Sequence, residues 1–481
     1  VNLANVLHLN GGYEVYFVVV KYEIEEIKLK PLEGVHFIEV HYVDDAQYEE
    51  GFAKNLPRTN WFPQNERIGK LSFDHIGFYM FSFHKAIIEN PLVTINNRNE
   101  NIFDWLQQKV EEKFFDLGMA EFSEMTGAVF LFEQIGLKKY IATSAAVPFP
   151  VHLHFLGQKL YVSIPGKLSL KLTVVSIGDR ERFRAQPGQG LELKNWEFDY
   201  ITNNNHYDYT INDFIKFYKR REKFYFNLLL KKGMITRDEF NEFKNKFKDN
   251  HIPKIGDLLR KSRYYLINVH PIGQYSDTKM SERIVNIGGI EGEMEDFIKN
   301  KKILETKQDV PESSNRQLFG DFPRNKDEED WIYKADCVVL FSMSTEIYFT
   351  GFTDAHYFTL QETFTNSDCK YIIKVTDSFS PFKQLKPGEH FYENDRTIIF
   401  YNGMIREQEI LKKAQVKLFV TDGGQNTFNE ILKTGVPMII IPFFGDQPFN
   451  ATLAEYLGIG ISIRFSEFVN EFKEAFDKIM G

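Results

Sequence analysis

Residues 416–457 read VKLFVTDGGQNTFNEILKTGVPMIIIPFFGDQPFNATLAEYL, and this stretch decides the fold. Val416 to Val420 is a short apolar, β-branched run, the pattern of a buried strand. Thr421-Asp422-Gly423-Gly424 interrupts it. A helix is expected from Gln425 to Lys433, stopped by Gly435 ahead of Pro437. Met438 to Ile441 is a second strand, Phe443 to Gln447 a loop, and Asn450 opens another helix. This βαβα alternation puts both loops at the carboxyl ends of parallel strands, where ligands bind in open α/β sheets.

Gly423 and Gly424 let backbone N–H groups approach an anion, and they stand just before a helix N-terminus, whose free amides and dipole favour phosphate. Glu430, within that helix, suits a ribose diol. Asp446 and Gln447 offer a carboxylate and an amide to hydroxyl groups, as a sugar requires. Diphosphate, ribose and sugar together describe a nucleotide sugar. A Gly-Gly turn alone would indicate no more than an ordinary doubly wound sheet; the combined string carries the reading.

That string resembles the signature of the UDP-glycosyltransferase family, above all its animal UDP-glucuronosyltransferase branch. Weaker likeness extends over nearly the whole chain, through FDLGMAE at 115–121, LINVHPIGQ and IVNIGGI within 266–290, and VVLFSMST at 338–345. The resemblance implies an α/β fold of two facing Rossmann-like domains, the GT-B arrangement. Residues 1–290 would bind the acceptor, 291–330 would link, and 331–481 would hold the UDP-sugar. It also implies a first strand ahead of Val1 and final helices after Gly481.

Composition agrees with a globular chain. The 481 residues exceed one core, so two or three domains are expected. Hydrophobic residues make up 43% and charged residues 26%, with 46 Phe, which suits apolar clefts. A net charge of −9 gives no basic excess, so nucleic acid is not an expected partner. The two cysteines, Cys337 and Cys369, provide no disulfide framework, and Cys337 reads as a buried small hydrophobe. No apolar run approaches the roughly 18 residues that span a bilayer, and no signal peptide opens the chain. Family members carry both a signal peptide and a C-terminal membrane helix. The resemblance therefore implies the lumenal side of the endoplasmic reticulum membrane for the longer protein, and homo-oligomers are a possible assembly.

Taken in order, residues 1–145 alternate strand and helix. Asn2–Leu9 is an expected helix with His8 on its surface. Tyr13–Val20, Val35–Val40, Phe114–Met119 and Lys139–Thr143 are expected strands. Leu71–Glu89, Ile102–Glu112 and Met125–Ile135 are expected helices. Residues 180–210 read as irregular. Ile211–Lys231 is a helix whose KRREK run forms a solvated face. Tyr264–Val269 and Ile284–Ile287 are further strands, and 291–330 is an exposed linker. A second alternating set follows, with strands at Val338–Phe341, Tyr371–Val375, Thr397–Tyr401, Val416–Val420, Met438–Ile441 and Gly460–Ile463.

In the family, acids of the FDLGMAE segment orient a catalytic His that deprotonates the acceptor hydroxyl. Glu121 is the first candidate by resemblance and Asp116 the second; both also read as turn or helix-entry acids. The family's His falls before Val1. His75, His84, His152 and His154 read as structural. On the donor side, Gly423, Gly424, Asn426, Thr427, Glu430, Asp446 and Gln447 match the family pattern. Four positions depart from it. Asp422 replaces a phosphate-binding His, and Ser344 replaces a turn Gly. Met404 and Glu407 stand where a stacking Trp and a Gln open and close WxPQ. Asp422 is expected to face the diphosphate, and Arg406 to restore a positive charge there.

The resemblance implies inverting transfer of glucuronic acid or glucose from a UDP-sugar to a small lipophilic acceptor. The UDP-sugar is a co-substrate, and no separate cofactor or metal is implied, since no DxD pair is placed to bridge one. The contrasting expectation is a GT-B-fold protein that binds lipophilic ligands without catalysis, motivated by Asp422, Met404 and the His missing from this stretch of chain.

Overall fold

The protein is described by a computed structural model over residues 1–22, 31–42, most of 83–145, most of 255–290, 322–343, 352–364, 369–375 and most of 390–481, with a few isolated positions between. The expected helix over 71–89 falls largely outside the described residues. So do the irregular stretch 180–210, nearly all of the KRREK helix, and 291–321.

The N-terminal body opens with α1 (Asn2–Gly11), followed by parallel strands β1 (Tyr16–Tyr22) and β2 (His36–Tyr42). His8 is not a surface residue: it is half buried, and its imidazole occupies the space a Cβ on Gly34 would need. A hairpin missed by the strand–helix reading follows, β3 (Leu92–Ile95) and β4 (Arg98–Asn101). Its turn residues Asn96 and Asn97 have φ of 51° and 62°, a conformation asparagine tolerates. Helix α2 (Ile102–Glu111) leads to β5 (Gly118–Glu121), α3 (Thr126–Gln134), β6 (Tyr140–Ser144), α4 (Ile255–Lys261), β7 (Tyr265–Ile267) and β8 (Ile284–Asn286). Strands β5 to β8 form one parallel sheet in chain order. Ile38, Val40, Ile95, Trp105 and Leu131 pack in a single cluster that joins the hairpin and the β1–β2 pair to helices α2 and α3. His84 is structural, as expected: it is buried against Gln134 at 2.8 Å, and burial pushes its pKa down to about 4.

The C-terminal body starts earlier than expected. Phe322 is fully buried in its core, and α5 (Lys326–Tyr333) packs on it through Ile332, so 322–330 are not linker. The remaining elements are β9 (Val338–Phe341), α6 (Asp354–Phe364), β10 (Lys370–Lys374), β11 (His390–Glu393), β12 (Ile398–Tyr401), α7 (Glu407–Lys413), β13 (Val416–Thr421), α8 (Gln425–Thr434), β14 (Met438–Ile440), α9 (Gln447–Leu457), β15 (Gly460–Ser462) and α10 (Phe468–Met480). The sheet order is β11-β12-β10-β9-β13-β14-β15, parallel except for the edge strand β11. From β12 onward this is the order of a dinucleotide-binding doubly wound sheet. All four residues of β9 are buried, because both faces are covered. Val339 and Phe341 pack with α6 and α10, and Val338 and Leu340 pack with α7, α8 and α9.

Cys337 and Cys369 are not free hydrophobes: they form a disulfide, with Cα atoms 4.6 Å apart. Each lies just ahead of its strand, and β9 and β10 pair in parallel with Val338 opposite Lys370. That register brings the cysteines within bridging reach. A sequence separation of 32 residues carries no hint of it.

Candidate functional site

The carboxyl ends of β9 and β13 adjoin where the strand order reverses, the place an open α/β sheet forms its crevice. Four chain segments put polar groups there. Ser342 follows β9, Lys374 closes β10, Glu407 opens α7, and Asp422 follows β13. Asp422 is buried, and its carboxylate accepts from Gln447 Nε2 at 2.6 Å and from Thr421 Oγ1 at 3.3 Å. Gln447 in turn accepts from the Phe443 amide at 2.8 Å, so its side-chain amide is engaged at both ends. Ser342 Oγ donates to Glu407. Burial raises the Glu407 pKa; the Ser342 bond and the Lys374 charge oppose that rise, and Asp422 adds to it. Lys374, itself buried, donates to the Met343 carbonyl at 3.3 Å.

Gly423 has φ of 82°, and a Cβ there would stand 2.6 Å from Ile440 Cγ2. Asn450, fully buried, donates to its carbonyl at 2.9 Å and fixes the turn. Gly424 is the N-cap of α8 with no side-chain cap, and among the described residues nothing lies within 4 Å of where its Cβ would be. The helix start therefore carries uncapped amides, an arrangement suited to an anion. Glu430, one face further along α8, accepts from Gln408 Nε2 at 2.6 Å. Thr427 and Asp446 are half buried at the starts of α8 and α9, and Asn426 is exposed.

The N-terminal sheet turns its own carboxyl edge to this crevice. Asn268, just past β7, donates to Asn426 Oδ1 at 2.6 Å, while Asn429 Nδ2 donates to the Asn268 carbonyl at 2.9 Å. Glu121 ends β5 on that same edge. It lies two strands from Asn268, roughly 10 Å at ordinary strand spacing. Asp116 stands at the opposite end of β5, exposed, and is corrected out of the site.

Two donor expectations are also corrected. Arg406 does not supply charge to the crevice: it pairs with Glu409 at 2.6 Å and with Glu329 at 3.8 Å. Gln447 points inward to Asp422 instead of offering its amide to a sugar. Gly423, Gly424, Asn426, Thr427 and Glu430 lie on the β13–α8 turn and on α8, and Asp446 lies at the start of α9, with Glu407 and the buried Asp422 nearby. Ser344 and Met404 lie outside the described residues. Sequence reading missed Ser342, Lys374, Asn268 and Asn429. The only available signal was position, each lying at or near a strand's carboxyl end or on α8. Among the described residues no cluster of His, Cys, Asp and Glu is arranged for a metal, and no helix is long and apolar enough to cross a membrane.

Residues 335–480 match the family model described as UDP-glucoronosyl and UDP-glucosyl transferase. Human UDP-glucuronosyltransferase 3A2 is 43% identical over 61 residues, 13% of this chain and 12% of the human protein. An ecdysteroid UDP-glucosyltransferase of Spodoptera littoralis nuclear polyhedrosis virus is 29% identical over 99 residues, 21% of this chain and 17% of the viral protein. The matched segments thus span less than a fifth of either relative. An Arabidopsis thaliana UGT solved with UDP-L-rhamnose superposes with a TM-score of 0.52 at 12% identity, covering 99% of this chain and 87% of the plant protein, a likeness of fold alone. The two α/β bodies thus follow the GT-B plan, and residues 335–480 are similar to UDP-glycosyltransferases, animal UDP-glucuronosyltransferases among them.

Proposed function

We propose that the protein transfers a hexose from a UDP-sugar to a hydroxyl of a small lipophilic acceptor, with inversion at the anomeric carbon. Glucuronic acid or glucose is the sugar. One observation carries this reading: the uncapped start of α8, at the Gly423-Gly424 turn, is docked against the sheet edge that ends in Glu121. The diphosphate meets the α8 amides and the helix dipole, which stabilise the leaving UDP without a separate cofactor. Glu430 receives the ribose and Asp446 the sugar hydroxyls. Glu121 orients the base that takes the acceptor's proton as its oxygen attacks.

A lumenal, membrane-associated setting in the endoplasmic reticulum belongs to the same proposal. The Cys337–Cys369 disulfide supports it, since such bonds persist in oxidising compartments. The test is UDP release by the full chain with UDP-glucuronate or UDP-glucose and a panel of phenols and sterols. Turnover with one pair supports the reading; no UDP release with any pair, and no heat of UDP binding, would overturn it.

A further inference from the structure

Among the described residues the two bodies touch through a polar seam, and that seam is built on the helix that starts the proposed donor site. Asn429 lies on α8, buried, one residue from Glu430. Its amide is engaged at both ends. Nδ2 donates to the Asn268 carbonyl at 2.9 Å and to Asn268 Oδ1 at 3.0 Å. Oδ1 accepts from the His270 amide at 3.2 Å and from Gln425 Nε2 at 2.9 Å. Asn268 completes the link, giving its Nδ2 to Asn426 Oδ1 at 2.6 Å and to the Ala145 carbonyl, past the end of β6, at 3.1 Å. An apolar contact adds to the seam: a Cβ on Gly273 would stand 2.7 Å from Leu432 Cδ1, so the N-terminal loop runs close along α8.

From this network we infer that Asn268 and Asn429 are positioning residues for sugar transfer, a latch that sets the spacing between the donor-binding helix and the acceptor-side sheet edge. The inference rests on the proposed UDP-sugar reading of α8. Domain pairs joined by small polar interfaces move relative to one another by default. Here Asn268 ties three elements together, the end of β6, the end of β7 and the first turns of α8. The groups assigned to the donor, Gly423, Gly424, Asn426, Thr427, Glu430 and Asp446, all belong to the C-terminal body, whereas Glu121 belongs to the other. Loosening the latch takes one partner from the Asn426 side chain, leaves the other donor groups in place, and chiefly disturbs the alignment of acceptor and anomeric carbon. A displacement of about 1 Å in such an alignment is enough to cost on the order of a hundredfold in rate.

The experiment uses the full chain with Asn268→Ala, Asn268→Asp and Asn429→Leu. Asn268→Asp keeps an oxygen for Asn429 Nδ2 but loses the donor to Asn426 and Ala145, so it should fall between the unmodified chain and Asn268→Ala. The expected result is a kcat lowered by about tenfold or more in Asn268→Ala, with UDP affinity by calorimetry within about twofold of the unmodified chain. Small-angle scattering should show a larger radius of gyration, and the melting temperature should stay near its original value, since neither core is touched. Unchanged kcat with unchanged scattering overturns the inference. So does a kcat loss matched by an equal loss of UDP affinity, which would make Asn268 part of the donor pocket itself. If the unmodified chain neither binds UDP nor turns over, the proposed function fails, while the scattering comparison still decides the latch. Should Asn268→Ala not fold, Asn268→Asp and Asn429→Leu carry the same comparison.

Discussion

Gln447 Nε2 lies 2.6 Å from Asp422 Oδ2, and both side chains are buried. A residue expected to serve the sugar instead holds the carboxylate that stands just ahead of the Gly423-Gly424 turn, where the proposed reading sets the diphosphate. Uncompensated, a carboxylate about 4 Å from a phosphate costs roughly 4 kcal/mol at an effective dielectric near 20. The Gln447 dipole offsets part of that. Asp422→Asn keeps an oxygen for Gln447 and removes the charge, so UDP affinity should rise by about tenfold to a hundredfold at neutral pH. Titration calorimetry checks this, and the gain should shrink with added salt where the site is open to solvent. An unchanged affinity would mean that the carboxylate does not face the phosphates.

Glu407 gives the pH dependence. Burial raises its pKa above the ordinary 4.5, and Asp422 pushes the same way. A carboxyl raised in the folded state binds its proton more tightly there than in the unfolded chain. Its contribution to stability is therefore complete below about 4.5 and is lost as pH rises through the raised value. We predict that Glu407→Gln flattens the fall of melting temperature between acidic and neutral pH and raises it at neutral pH. Parallel melting curves for the two proteins across that range would contradict this.

Gly423→Ala tests the turn. The left-handed backbone and the 2.6 Å approach to Ile440 Cγ2 leave no relaxed place for a Cβ. The expected loss is about 1–3 kcal/mol, read from the denaturant midpoint. UDP binding should weaken as well, because the same turn opens α8.

Glu121→Gln keeps the size of the side chain at the end of β5 and removes its charge. If Glu121 orients the catalytic base, kcat should fall by about a hundredfold with UDP affinity unchanged. Single-turnover rates set beside calorimetry separate the two. A change in affinity alone would remove Glu121 from the reaction.

Much of this arrangement was legible in the sequence. The run VVLF at 338–341 and the turn after Val420 mark parallel strands buried on both faces, and all six strands expected in the C-terminal body are present within a residue or two. Gly423, Gly424 and Glu430 lie on the loop and the helix that their spacing predicts. The rest depended on partners far along the chain. Nothing local says that Gln447 will turn toward Asp422, 25 residues away, or that Asn429 will reach Asn268, 161 residues away. Arg406 lies close in sequence to the crevice, but α7 directs it to Glu409 and Glu329. Edge strand β11 escaped because HFYE has too few residues for an alternating pattern to show.

The Cys337–Cys369 bridge has a consequence for how the chain responds to being cut. It encloses α6 and the residues on either side of it, between the first two strands of the C-terminal sheet. A protease that cleaves once inside this span severs the backbone but not the molecule. The pieces stay covalently joined, with β9 and β10 still fastened at the edge away from the crevice. On a denaturing gel the nicked protein should run as one band without reductant and as two with it, while UDP binding survives the cut.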